Sequence, residues 1–247
     1  MTDRQLDDVE DEPDDYDRLL AAIGRSYDDD VRVATHEAGH AIAARLLGQP
    51  LGGATVDPDP HGKFSGLVWG PRHRAAFGGD DAPLGSSADA VPALCDKLRD
   101  LMPQDGEPRG DVAEIYSHVV TRCTELAAGA VAERMLLPGE PVPSVSDVEQ
   151  AVGLASLCCK SAEAVERFLA FCEQQAHDLL FPHGDVVIAL STLLRIKRTL
   201  QGPEIDKIIS DVQARKAAAI EGERRKQWQL TVENSRAFLE ALARSPA

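Results

Sequence analysis

The run Thr35-His36-Glu37-Ala38-Gly39-His40-Ala41 constrains this chain more than any other stretch. It lies within residues 31–47, where Val33, Ala34, Ala41, Ile42, Leu46 and Leu47 have the spacing of a partly buried helix. Asp28, Asp29 and Asp30 precede it, and carboxylates there suit the positive end of the helix dipole and can cap free amides. Gly48 followed by Pro50 supplies a stop. Residues four apart share a helix face, so His36 and His40 can offer imidazole nitrogens to one ion. Glu37 is angled to the side, where a carboxylate reaches water without ligating the ion.

His-Glu-x-x-His on a helix is the arrangement of zinc peptidases. Two surface or core histidines are the other reading of the same residues, and a third ligand elsewhere in the chain decides between them. At 247 residues the chain can bury a real core, as one domain with appendages. Neither an apolar run near membrane-span length nor a signal peptide at Met1 is read, so a soluble cytoplasmic protein is expected. The cysteines Cys95, Cys123, Cys158, Cys159 and Cys172 are odd in number and fall mostly in helical patterns, as reduced core or groove residues do. Adjacent Cys158 and Cys159 lack the spacing of a thiolate zinc site. Net charge is -15, and the first 30 residues hold 12 acids against 3 arginines, or -9 of it. Phosphate-backbone binding needs the opposite sign, so nucleic acid is not expected as a partner.

Residues 1–27 read as an acidic, flexible arm with a short helix over 19–23. After the histidine helix, 53–57 and 65–69 are short extended segments around a turn, and a small β-hairpin beside the helix is expected. Its exposed edge could hold an extended peptide, or it could simply close the core. A loop over 70–90 and a helix over 91–101 follow. From Asp111 the chain carries its longest helical pattern, including Val112, Ile115, Val119, Cys123, Leu126, Val131 and Met135. Glu133 falls near that apolar stripe and needs a partner there. After Pro138 to Pro143, Ser146 and Glu149 form a capping box for another helix, with Asp147 in its first turn. Asp147 can project into a cleft, or be an acid favoured by the dipole. Helices are read over 162–181, 185–200 and 203–220, then a tail helix over 221–244 with Trp228, Leu230, Phe238 and Leu242 on one side. His61, His73, His118, His177 and His183 lack metal-ligand spacing and read as structural or exposed.

With these pieces placed, the chain resembles the peptidase domain of FtsH-type membrane-bound ATP-dependent zinc proteases, over about residues 31–209. The residues that carry the resemblance are the run from Thr35 to Ala41, the strand pair within 53–69, Leu126-Ala127-Ala128-Gly129-Ala130-Val131-Ala132-Glu133, and Ser146-Asp147-Val148-Glu149-Gln150-Ala151. It implies a mainly α, helical zinc-peptidase domain over 28–215, between the arm and a helical tail over 216–247. It implies zinc held by His36, His40 and Asp147, Glu37 as catalytic base, and Glu133 orienting a ligand histidine. The activity implied is endopeptidase hydrolysis of unfolded proteins or peptides by metal-activated water. Departures are Ala130 where the family has arginine, Pro143-Ser144-Val145-Ser146-Asp147 in place of Gly-Ala-Ser-Asn-Asp, and a longer loop before the core helix. No Gly-x-x-x-x-Gly-Lys-Ser/Thr phosphate loop is present, so a separate ATPase or adaptor is expected, or substrates already unfolded. The competing function is a non-catalytic, peptidase-like protein-binding module. A monomer or small oligomer is expected.

Overall fold

The computed structural model describes residues 14–59, 64–70 and 112–244. The first thirteen residues, the expected loop from position 71 and the helix expected over 91–101 lie outside them. The described chain runs α1 (Asp15–Ala22), α2 (Tyr27–Leu46), β1 (Gly53–Thr55), β2 (Leu67–Trp69), α3 (Val112–Leu136), α4 (Val145–Cys158) and α5 (Ala162–Leu180). A 3₁₀ turn (Phe181–His183), α6 (Gly184–Lys197), β3 (Thr199–Gln201) and α7 (Gly202–Arg244) complete it. The fold is mainly α with one small antiparallel sheet of order β2-β1-β3.

Helix α2 begins at Tyr27, ahead of the expected Val31, because Ser26 caps it. The Ser26 hydroxyl oxygen accepts from the Asp29 amide at 3.1 Å, and its hydrogen goes to the Asp29 carboxylate at 2.6 Å. The three aspartates therefore lie in the first turn, not before the helix. At the other end Gly48 has φ +72°, and the amides of Gly48 and Gln49 close onto the carbonyls of Arg45 and Ala44. Between those ends Ala34, Ala38, Ala41, Ile42 and Ala43 are buried in a cluster with Val131, Leu190 and Leu194. Helix α2 packs chiefly on α3 and α6. Its approach to α3 is close: a Cβ on Gly39 would stand 2.5 Å from the Ala128 carbonyl oxygen.

The expected hairpin forms, with Gly53 opposite Trp69, Ala54 opposite Val68 and Thr55 opposite Leu67. The third strand corrects the sequence expectation, which carried a helix to residue 200. Helix α6 ends at Lys197, Arg198 turns the chain at φ +65°, and Leu200 pairs with Ala54 from a fully buried position. One apolar residue in three has no period, so nothing local distinguished strand from helix end. The strained turn is held from outside itself. Arg198 Nη1 and Nη2 reach the Asp30 carboxylate at 2.8 and 2.9 Å, and its Nε reaches Asp57 at 2.9 Å.

The described end of the expected arm belongs to the body. Leu20 is buried, Tyr16 donates its hydroxyl to Asp30 at 2.7 Å, and Arg25 donates to Asp30, Val56 O and Ser65 O at 2.9, 2.6 and 2.6 Å. By length and composition alone, the run Ala162–Lys197 is apolar enough to cross a membrane. In the fold its Leu180, Val186, Val187, Leu190 and Leu194 are core residues. The two helices expected over 203–244 are one, α7; its Ile205 is buried, while Trp228, Leu230 and Phe238 are exposed.

Candidate metal centre

Three side chains from two distant helices meet at the α2–α3 crossing. His36 and His40, one turn apart on α2, direct Nε2 atoms toward the same oxygen, Asp147 Oδ2, at 3.1 and 3.3 Å. The three candidate ligand atoms all lie within 4.8 Å of one another. Asp147 stands in the first turn of α4, whose cap is Ser144 and not the expected Ser146. The Asp147 backbone amide donates to Ser144 Oγ at 3.3 Å, and Ser146 Oγ instead accepts from the Gln150 side-chain Nε2 at 3.0 Å.

The other ring nitrogens settle the proton positions. His40 Nδ1 lies 2.7 Å from the Glu125 carbonyl oxygen, and His36 Nδ1 lies 2.7 Å from Glu133 Oε1. A carbonyl and a carboxylate accept only, so each imidazole carries its hydrogen on Nδ1. In the neutral rings both Nε2 lone pairs then point at a carboxylate oxygen. Three electron-rich atoms in that arrangement require positive charge among them, which protons or a metal ion can supply. Protons respond accordingly: burial opposes charging His36, but the carboxylates of Asp147 and Glu133 outweigh it and raise its pKa to about 10. Burial pushes Asp147 up, yet the two imidazoles outweigh that and hold it far below the usual carboxylate range. His36, His40 and Asp147 form a group that can hold a metal ion.

Glu133 lies behind His36, on the side of the ring away from Asp147. Its Oε2 also receives the Val142 amide at 3.4 Å and faces Arg32 Nε at 3.5 Å. A carboxylate behind a ligand imidazole fixes its tautomer and raises its basicity.

Glu37 is 7% exposed, and among the described residues its carboxylate has no hydrogen-bond or ion-pair partner. Burial raises its pKa more than His36 and His40 lower it. The side chain is pressed against β2's approach, where a Cβ on Gly66 would stand 2.6 Å from Glu37 Oε1. An unpaired, buried carboxylate of raised pKa beside a group that can hold a metal ion is equipped to accept and return a proton.

Sequence reasoning missed three contributors. The Glu125 carbonyl holds His40 through its backbone, which no residue type reveals. Gly66 and Gly129 contribute by lacking a side chain. His118 is exposed and His177 half-buried, and neither they nor His183, Cys158 and Cys159 enter the metal group; His61, His73 and Cys95 lie outside the described residues. Comparison with protein-family models and with curated proteins finds no match to this chain.

Proposed function

We propose that this chain is a zinc-dependent metalloendopeptidase, related to the FtsH-type peptidase domain that its motifs resemble. The observation that carries the reading is the convergence of two Nε2 atoms, each with its Nδ1 hydrogen committed elsewhere, on one Asp147 oxygen. Ligand atoms about 2.0–2.1 Å from a tetrahedral zinc ion stand about 3.3 Å apart. The separations of 3.1 and 3.3 Å suit that ion. His36, His40 and Asp147 would hold it, leaving one position open, and the bound ion would acidify water and polarise a peptide carbonyl. Glu133 and the Glu125 carbonyl keep both imidazoles turned toward the ion. Glu37 takes the proton of the attacking water and hands it to the departing amine. Unfolded polypeptides are the substrate class, presented as such or delivered by a separate ATPase or adaptor.

The test is Glu37→Gln in the full chain. The variant should keep one zinc per chain while its hydrolysis of unfolded casein drops by about 10²–10⁴-fold. Equal rates for variant and parent would refute the mechanism. Zinc bound by a parent that cleaves no member of a peptide library would favour the non-catalytic binding module.

A further inference from the structure

Gly129 lies in the interior of α3 and is buried. Its backbone is not in the left-handed region, so helix geometry does not demand glycine there. A glycine inside a helix is destabilising relative to alanine. The reason for its presence is therefore sought in space. A Cβ at Gly129 would stand 2.5 Å from His36 Nε2, 2.6 Å from His36 Cε1 and 2.6 Å from His40 Nε2. Real Cβ atoms essentially never approach other atoms so closely, and the tips of the two imidazoles are what would have to move.

We infer that Gly129 is a positioning residue of the metal centre: the missing side chain lets both imidazoles lie against α3 with their Nε2 atoms converging on Asp147. This inference rests on the metal reading above. The imidazoles cannot give way without loss. His36 is tied at Nδ1 to Glu133 and His40 to the Glu125 carbonyl, both at 2.7 Å, so swinging either ring outward strains that bond or withdraws Nε2 from Asp147. Gly39 on the facing helix has a different task. Its would-be Cβ meets the Ala128 carbonyl oxygen at 2.5 Å and Ala132 Cβ at 2.7 Å, so it sets the distance between the helices. Backbone cannot step aside as a ring can. One glycine thus brings α2 and α3 together, and the other leaves room for the ligands between them.

The experiment compares the parent with Gly129→Ala and Gly39→Ala in the full chain, using Zn²⁺ for affinity by chelator competition and Co²⁺ for the visible absorption of a tetrahedral site. Thermal unfolding of the metal-free proteins is measured alongside. Gly129→Ala should bind Zn²⁺ at least 100-fold more weakly and lose the Co²⁺ band, while its metal-free Tm falls less than that of Gly39→Ala. Gly39→Ala should lower the metal-free Tm. A Gly129→Ala protein that binds Zn²⁺ within threefold of a metal-binding parent overturns the inference and leaves the metal reading standing. Metal-free Gly129→Ala that unfolds like Gly39→Ala also overturns it, because packing would then explain the glycine. A parent that binds neither ion overturns the metal reading itself.

Discussion

Glu133 would be a costly residue inside a helical core without partners, and His36 Nδ1, the Val142 amide and Arg32 surround it. Its task is to hold an imidazole, so Glu133→Ala should weaken zinc binding by about 10–100-fold, read by chelator competition. Asp147→Ala should do more, because it removes the oxygen that both imidazoles face; zinc content after dialysis checks this. At this scale the sequence was legible in proportion to how local the chemistry is. His36, Glu37 and His40 share one helical turn, and helix period alone puts the histidines on one face. Asp147 stands over a hundred positions later, and residue type alone made it one acid among many at a helix start. Only the resemblance singled it out. The Glu125 carbonyl was illegible, since every residue has one.

The helix that carries Asp147 offers two serines with an acid three positions on, Ser144 with Asp147 and Ser146 with Glu149. Sequence rules favoured the second, and tertiary contacts selected the first: capping by Ser144 puts Asp147 in the first turn, facing α2, and leaves Ser146 to Gln150. Ser144→Ala should cost about 1 kcal/mol of stability. On the proposed zinc reading it should also weaken zinc binding, since the cap orders the turn that carries Asp147; thermal unfolding with and without zinc separates the two effects. At the end of α2, Gly48 at φ +72° was legible as a stop, and Gly48→Ala should destabilise by about 1 kcal/mol in urea unfolding. The third strand was illegible because Thr199, Leu200 and Gln201 have no period of their own and owe their extended form to β1.

Across the whole molecule, Asp30 joins pieces far apart in the chain. Its fully buried carboxylate receives Arg25, Arg198 and the Tyr16 hydroxyl, which ties α1, α2, the hairpin and the turn into β3 to one point. Arg25 extends the tie to Ser65 O, next to the Gly66 that lies on Glu37. Burial pushes the Asp30 pKa up, but hydrogen bonds from Arg198, Tyr16 and Arg25 outweigh it and hold the group below 3.8. The folded pKa is thus depressed. Its stabilising contribution is fully present above the unfolded value near 3.8 and is lost as pH falls through the lower folded value. Removing one member of a buried ion pair costs about 3–5 kcal/mol. Asp30→Asn should show a deficit of that order at pH 7, shrinking as pH drops below about 3.8. Urea unfolding of both proteins at pH 7 and pH 3 measures it; an unchanged gap would show that Asp30 does not titrate as described.

What the amino-acid sequence determined alone was the helical character of the chain, the hairpin segments, and a pair of imidazoles with a carboxylate between them on one helix. Those features follow from periodicity and turn chemistry acting over a few residues. The tertiary structure decided which acid meets the imidazoles, which backbone oxygen orients His40, which glycine clears their path, and where α6 gives way to β3. Each is a contact between segments roughly 85 to 150 positions apart, set by how α2, α3, α4 and the sheet pack, and short-range patterns carry no information about such pairings.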